Sequence, residues 1–458
     1  MSATYRAVDT VGEGDRVRTA EYGVYTDRLR LLAADVARGS WGRVEQDVHH
    51  ALNGQAAQQL RSLVPLQVRR DEGAFFTGGP VRAKFASLLG GPEASVTADR
   101  YWDPSCGAGD LLIAASERLP TAPTLAGTVR LWGGRLRGCD LHHPFVDAAR
   151  LRLFLAAAAR HQGEVQPQTI DLESGLRAFR KVEVGDGLAE LRTTAGYSGH
   201  LLLNPPYGNV FADDDCDWSS GAVSQAAVFV LAGAQALKVG QQLHAVLPDV
   251  LRSGSRYEPW RSRIESVLKV DRAELYGQFD THTDIDVFFL GGTRKRKSRP
   301  VATVAPWWPA PIGASTIEEA FEVRVGPVVD NRDPHAGPSA PFLTARDLPT
   351  TGTRGVPGRT RQFAGRLVAP PFVAIRRTSR PGARAGGEAR AAGVLVTGVE
   401  PIAVDNHLIT ASPLSGDESD CKRLLEVLES SAVSDWLDQR IRCRHLTVGV
   451  IRSLPWSH

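Results

Sequence analysis

The tetrapeptide Asn204-Pro205-Pro206-Tyr207 has residue types that point most directly to chemistry. It follows the apolar run GHLLL, which is typical of a buried strand, and two prolines end a strand because neither can donate to the ladder. The Asn204 amide oxygen and the Pro205 carbonyl are suited to accept both protons of a planar amino group such as that of adenine, which turns its lone pair toward a methyl donor. Tyr207 offers a face for base stacking, worth ~1–3 kcal/mol. The pattern predicts methylation of an amino nitrogen, and a plain strand-ending turn is the alternative.

A second segment, YWDPSCGAGDLLIAAS (101–116), predicts a strand, a glycine-rich turn and a helix. Asp103 and Pro104 lead into Gly107 and Gly109, and glycines at such a turn let the backbone approach a ligand closely. No GK[ST] follows, so the segment is not a P-loop. By itself it fits a tight turn in any α/β domain as well as a ligand site.

Two acids follow the glycine turn at the ends of later predicted strands. Asp140 closes the next apolar strand, where a carboxylate can accept ribose hydroxyls. Asp186 follows one strand later, where its side chain can bond an adenine amino group. Each acid alone is an ordinary loop aspartate, but their order after the turn predicts a cofactor that contains a nucleoside.

With these motifs in place, residues 70–300 resemble the N6-adenine DNA methyltransferases in which the cofactor motif precedes the catalytic motif. The family's DPxxGxG motif is similar to DPSCGAG (103–109), and its NPPY motif to residues 204–207. Its FxTP segment is similar to GAFFTGGPVRAKFASLL (73–89), although the proline is displaced to Pro80. The order of the motifs is specific, whereas NPPY alone also occurs in glutamine methyltransferases of release factors and in some RNA methyltransferases.

The resemblance implies S-adenosyl-L-methionine as cofactor and a flipped adenine in double-stranded DNA as substrate. It assigns catalysis to Asn204, Pro205, Pro206 and Tyr207. The implied cofactor contacts are Phe76, Thr77, Asp103, Pro104, Gly107, Gly109, Asp140, Asp186 and Asn204. Phe76 would pack on the cofactor, and the Thr77 hydroxyl would lie near its carboxylate. Tyr207 and Phe279 are the expected stacking partners of the base, with core packing an equal alternative for Phe279.

The elements that must position these residues follow from hydrophobic periodicity. Residues 1–70 predict helices, since apolar residues recur at three- and four-residue spacing. Over 71–300, four short apolar runs indicate strands between helical stretches, which favours a βαβ domain. The runs are TVRLWGG, GHLLLNPP, QLHAVLP and DVFFLGG. We therefore expect an α/β fold: a Rossmann-like methyltransferase core with a seven-stranded, mostly parallel sheet and N-terminal helices.

After residue 300 proline and glycine become more frequent, arginines cluster, and short strand-like runs alternate with loops. Residues 301–458 are therefore predicted to be a C-terminal α+β target-recognition domain. It ends with one helical segment, CKRLLEVLESSAVSDWLDQRI, and contains a low-complexity run, 380–393, predicted to be a mobile loop. Basic residues cluster in four runs that suit contacts with DNA phosphates and guanines. These runs are 293–299, 359–366, 375–390 and 440–452. A solvated basic surface is the alternative for each run.

Composition excludes several classes of protein. No apolar run is long enough to span a bilayer and the N-terminus lacks an apolar signal core, so a cytoplasmic protein is expected. Five cysteines without a CxxC pair predict neither a disulfide framework nor a zinc site, and no metal is expected. A net charge of +3 does not by itself indicate nucleic acid.

The predicted role is modification in a restriction or phage-defence system. Three alternatives remain open at this stage. The substrate could be RNA or a protein glutamine, the chain could be a non-catalytic DNA-binding subunit, or it could need a partner subunit for specificity.

Overall fold

The computed structural model describes most of the chain, in two compact units. The described residues are 19–71, 73–89, 100–162, 169–213, 216–280, 283–296, 306–309, 313, 315–349, 352–379, 389–442 and 445–456. The first unit comprises Met1–Leu251 and Pro259–Pro306, and the second comprises Arg252–Glu258 and Trp307–His458.

The described N-terminal part of the first unit is helical, as predicted. Its α-helices are α1 Gly23–Ala37, α2 Trp41–Leu52, α3 Gln55–Leu63, α4 Leu66–Asp71 and α5 Gly79–Leu88. The break between α2 and α3 falls at Gly54, whose φ of +90° is a conformation that favours glycine. Val48 and Leu60 are buried in the same hydrophobic core as the apolar residues of the sheet. These helices are therefore part of one core with the sheet.

A seven-stranded sheet in the order β3-β2-β1-β4-β7-β9-β8 forms the centre of the first unit. The strands of this unit are β1 Tyr101–Asp103, β2 Leu136–Asp140, β3 Val182–Val184, β4 His200–Leu203, β5 Asn209–Phe211, β6 Ala222–Ser224, β7 Gln242–Pro248, β8 Leu268–Asp280 and β9 Thr283–Arg294. The first five strands in the sheet order run parallel, β9 is antiparallel to both its neighbours, and β5 and β6 form a separate hairpin. The predicted α/β class with a mostly parallel seven-stranded sheet is confirmed.

Helices fill the connections between these strands, which is the pattern that parallel strands require. They are α6 Asp110–Ser116, α7 Leu125–Arg135, α8 His143–Ala159, α9 Leu172–Ala178, α10 Gly187–Thr193, α11 Gln225–Ala236, α12 Asp249–Ser253 and α13 Glu258–Val267. Within the described residues no helix is long and apolar enough to cross a membrane.

One strand prediction is wrong, because TVRLWGG (128–134) lies in helix α7. The Thr124 hydroxyl accepts the amide proton of Gly127 and caps the helix start. Val129 and Trp132, three residues apart, bury the same helix face. Gly133 lets α7 approach the chain at Ala178, whose carbonyl oxygen would lie 2.1 Å from an added Cβ. A seven-residue apolar run does not distinguish a strand from a buried helix turn.

The second unit is α+β, as predicted. Its strands are β10 Ser315–Thr316, β11 Phe321–Val325, β12 Ser339–Leu343, β13 Thr353–Arg354, β14 Thr360–Gln362, β15 Phe372–Arg376, β16 Gly393–Val396, β17 Ala403–Val404, β18 Leu408–Pro413 and β19 Pro455–Trp456. Its α-helices are α14 Glu418–Glu429, α15 Ser431–Arg440 and α16 Val448–Arg452. The single predicted last helix is two helices, because Ser430 is extended (φ −60°, ψ 133°). Most of the predicted mobile loop, 380–388, lies outside the described residues.

Candidate active site

Four polar side chains lie at the carboxyl ends of four adjacent parallel strands. In the order of the sheet they are Asp186 after β3, Asp140 at the end of β2, Asp103 at the end of β1 and Asn204 after β4. Neighbouring strands lie ~4.8 Å apart, so the row extends over about 14 Å. The carboxyl edge of an open α/β sheet is where ligands bind in such folds. The structure thus brings four predicted residues to one edge.

The glycine turn between β1 and α6 takes the conformation that its glycines permit. Gly107 and Gly109 have φ of +49° and +85°. An added Cβ on Gly107 would lie 2.7 Å from the Phe76 ring, and one on Gly109 would lie 3.1 Å from the Ala149 Cβ on α8. Phe76 is buried, with its ring edge-to-face with those of Phe145 and Tyr22. Phe76 therefore forms one wall of the turn.

Asp140 is bonded directly to this turn. Its Oδ2 accepts the Gly107 amide proton at 2.9 Å, and its Oδ1 accepts that of His142 at 3.0 Å. A carboxylate accepts only and has about four lone-pair sites, which suits ligand hydroxyls.

Asp186 is exposed, and its Oδ1 accepts the Ala189 amide proton at 3.0 Å, which caps α10. The next residue, Gly187, lies against the turn: an added Cβ there would be 1.7 Å from the Pro104 carbonyl oxygen. Only glycine fits this contact, which fixes the Asp186 loop beside Pro104.

Asp103 is buried almost completely, at 1% exposure. Its Oδ1 accepts the Ser105 amide proton at 3.1 Å. Burial raises the pKa of Asp103 to about 8, and the negative charges of Asp140 and Asp110 add to the effect. The carboxyl group is therefore mostly protonated at neutral pH and can act as a hydrogen-bond donor.

Asn204 is fixed by the segment that precedes β1. Its Nδ2 donates to the Thr77 hydroxyl at 2.9 Å and to the Phe75 carbonyl at 3.2 Å. Because both amide protons are used, Oδ1 is left as the acceptor, and it receives the Tyr207 hydroxyl proton at 2.8 Å. The sequence assigned Thr77 to the cofactor carboxylate, whereas here its hydroxyl orients the amide of Asn204.

Tyr207 lies among aromatic rings. Its ring is nearly parallel to that of Phe75, at 6.4 Å between centroids, and edge-to-face with that of Phe279, at 5.9 Å. Phe279 is 3% exposed, so its ring packs in the core beside Tyr207. Burial raises the pKa of Tyr207 far above its usual value, so the hydroxyl stays protonated and remains a donor to Asn204.

Sequence reasoning missed one close contact at the catalytic motif. Gly73 has φ of +62°, and an added Cβ there would lie 2.5 Å from the Pro206 Cβ. Residues 73–77 therefore form the wall behind Asn204 and Pro206. The available signal was the glycine that precedes the aromatic pair Phe75-Phe76.

A buried arginine, also missed, holds the glycine turn from behind. Arg152 on α8 has 0% exposure and donates to the carbonyls of Ala51 (2.8 Å) and Ala108 (2.5 Å) and to Asp110 Oδ1 (2.8 Å). It thus connects helix α2, the turn and the start of α6. The signal was an arginine inside the apolar helix RLRLFLAAAA, where a charge needs a partner.

The described residues contain no group of three or more His, Cys, Asp and Glu side chains placed to hold a metal ion. The polar groups at this edge are carboxyl, amide and hydroxyl groups and main-chain amides. They suit an organic ligand with hydroxyl and amino groups.

Comparison with known proteins gives structural similarity only. No protein-family model and no curated protein matches the sequence. Among solved structures, the chain is similar to a putative class I S-adenosylmethionine-dependent methyltransferase from Listeria monocytogenes (15% identity, 55% of this chain and 68% of that chain, TM-score 0.37). It is also similar to a modification subunit of a putative type I restriction enzyme from Vibrio vulnificus (16% identity, 50% of this chain and 46% of that chain, TM-score 0.36). A third similar structure is the type I restriction-modification methyltransferase subunit from Streptococcus thermophilus (20% identity, 51% of this chain and 48% of that chain, TM-score 0.34). The chain spans about half the length of these two subunits.

Proposed function

We propose that this protein is an S-adenosylmethionine-dependent methyltransferase that methylates the N6 amino group of adenine in DNA. The observation that carries the proposal is the orientation of Asn204. Thr77 and Phe75 take both of its amide protons, so its Oδ1 is an acceptor, which receives the Tyr207 hydroxyl proton and has a second lone pair. That is the group needed to polarise a planar amine, and it ends the strand next to the glycine turn.

The residues along the edge fit S-adenosylmethionine. Asp140 and Asp186 would accept from the ribose hydroxyls and the adenine amino group, and the turn of Gly107 and Gly109 would lie against the amino-acid part. Protonated Asp103 would donate to an acceptor there. The bound cofactor supplies a methyl group on a positively charged sulfur.

The chain's own groups would activate the amine. Asn204 Oδ1 and the Pro205 carbonyl each accept one N–H of the target, which draws the nitrogen toward a tetrahedral geometry. A new N–CH₃ bond forms as the S–CH₃ bond breaks, and one N6 proton then leaves to solvent. The products are N6-methyladenine and S-adenosylhomocysteine. Most of the acceleration would come from positioning, because residues 73–77 hold the acceptors rigidly.

The target base must leave the duplex, since its N6 is out of reach inside the stack. Tyr207 would stack on the extruded adenine, and Phe279 would pack at its edge. The second unit would serve as the recognition domain, and the biological role would be modification in a restriction or phage-defence system, with a partner subunit as a further possibility.

The test is long-read modification sequencing of a host genome that expresses the protein, beside the Asn204→Ala variant. We expect N6-methyladenine in one sequence motif with the wild type and none with the variant, because removing a transition-state acceptor costs ~10²–10³-fold in rate. The matched control is Asn331→Ala, an exposed asparagine of the second unit, which should leave the mark intact.

Methyl transfer to duplex DNA, tRNA, rRNA and protein, measured side by side with purified protein, distinguishes the alternatives. Transfer to RNA or protein alone would contradict the proposal. Failure to bind S-adenosylmethionine in calorimetry would indicate a non-catalytic subunit instead.

A further inference from the structure

Three arginines cluster beside the catalytic motif, on helices that the proposed mechanism does not use. Arg61 lies in the last turn of α3, and Arg69 and Arg70 lie in the last turn of α4. Burial lowers the pKa of Arg69, as does the charge of Arg61, whereas the charge of Asp280 opposes the shift and Arg70 adds to it least. Like charges held this close to one another favour an anionic partner.

The cluster is connected to the catalytic motif on both sides. The main-chain carbonyls of Arg69 and Arg70 accept the amide protons of Ala74 (2.8 Å) and Gly73 (3.3 Å), and Gly73 packs on Pro206. On the other side, Arg61 pairs at 3.5 Å with Asp280, which directly follows Phe279. The cluster therefore lies beside Pro206 on one side and beside Phe279 on the other.

The internal partners of these guanidinium groups are few. Arg69 Nε donates to the Val64 carbonyl at 3.0 Å, and Asp280 is the described carboxylate bonded to Arg61. Arg70 is exposed, and its side chain has no hydrogen bond or ion pair within the described part of the chain. Asp71 and Glu72 come next in the sequence, and their side chains lie outside the described part.

Resting on the proposed function, we propose that Arg61, Arg69 and Arg70 bind the phosphates that flank the target adenine and so position the extruded nucleotide at Asn204. A backbone distorted by base extrusion exposes its phosphates at the mouth of the site. Cations fixed there would position them without reading sequence. Phosphate binding in the second unit would be separate from this contact.

The test measures affinity for a fluorescent mixed-sequence DNA duplex by anisotropy as a function of KCl concentration. Each lost phosphate contact reduces the slope of log affinity against log salt by about one. We expect a reduction of about one for Arg70→Gln and about two for the Arg61→Gln/Arg70→Gln double variant. Arg43→Gln, an exposed arginine of α2, is the matched control and should retain the wild-type slope.

The single Arg70→Gln variant keeps the test valid if the double variant is unstable, since Arg70 has no described partner. Calorimetric affinity for S-adenosylmethionine should equal that of the wild type in both variants. Unchanged salt slopes in variants that still methylate DNA would overturn this inference alone. A change of slope with duplex RNA but not with DNA would also overturn it. A wild type that neither binds nor methylates DNA would refute the proposed function, and this inference with it.

Discussion

The arginines that hold loops together in the second unit differ from those that border the catalytic motif in the first. In the second unit, Arg361 and Arg390 are nearly fully buried and donate to main-chain carbonyls, and Arg376 donates to the carbonyls of Ala345 and Leu348. These side chains hold loops together. In the first unit, Arg152 likewise donates to main-chain carbonyls. The arginines of the cluster, Arg61, Arg69 and Arg70, instead border the catalytic motif and have few internal partners. A run of arginines in a sequence therefore gives the number of charges and not how many of them are free for a ligand.

This difference bears on the four basic runs expected to contact DNA. The described arginines of 359–366 and 375–379 include several with internal bonds, since Arg366 pairs with Glu322 and Arg377 donates to the Asn406 carbonyl. DNA binding by the second unit stays a prediction and depends on fewer side chains than the sequence suggested. Residues 297–299, 380–388 and 443–444 of these runs lie outside the described part.

The largest expected effect tests the buried arginine of the first unit. Arg152→Met would leave Asp110, whose side chain is only 6% exposed, without its partner. Breaking a buried ion pair in this way costs ~3–5 kcal/mol. We expect a loss of this size in the free energy of unfolding in urea, together with weaker S-adenosylmethionine binding. A variant as stable as the wild type would show that the glycine turn does not need this link.

A second prediction concerns the buried acid of the first unit. The pKa of Asp103, about 8 when folded, lies above its unfolded value of about 3.9, so the folded state holds an extra proton between these values. Stability should therefore fall as pH rises through this window, by ~1.4 kcal/mol per pH unit.

The measurement is urea unfolding of the wild type and Asp103→Asn at about pH 6 and about pH 8. The wild type should lose about 2 kcal/mol more than the variant over this interval, because asparagine does not ionise. Equal losses in the two proteins would mean that Asp103 is ionised in the folded state at neutral pH.

A smaller effect is expected for the corresponding arginine of the second unit. Arg361→Met removes a hydrogen bond to the Asp333 carbonyl and the pair with Asp330, whose side chain is 58% exposed. Since Asp330 remains hydrated, the expected loss is ~1–3 kcal/mol, less than for Arg152. The salt dependence of DNA affinity should not change. If stability stays constant and the salt slope falls instead, Arg361 binds phosphate and the contrast between the units fails.

The smallest expected effect is at Arg359, which is exposed and has no side-chain hydrogen bond within the described residues. Arg359→Ala should change the free energy of unfolding by less than ~0.5 kcal/mol. If this arginine contacts a DNA phosphate, the salt slope measured by anisotropy falls by about one. An unchanged slope would remove Arg359 from the DNA-binding surface.

The features that could be predicted from sequence are local in the chain. Asp103, Asp140 and Asn204 each follow an apolar run, and parallel strands bring such positions to one edge without further information. The strand assigned to TVRLWGG failed because a short apolar run carries no clear period. The bonds from Thr77 and Phe75 to Asn204 cross more than 120 residues, so no local pattern reports them.

The segment Arg252–Glu258 belongs to the second unit, although the chain on both sides of it belongs to the first. Arg252 is 1% exposed and donates to the Trp307 carbonyl at 2.9 Å. A recombination event that replaced only the chain after residue 306 would thus bring in a new unit without the matching piece of its own structure. Arg252 would then remain from the old chain, while Trp307, whose carbonyl it bonds, would be replaced.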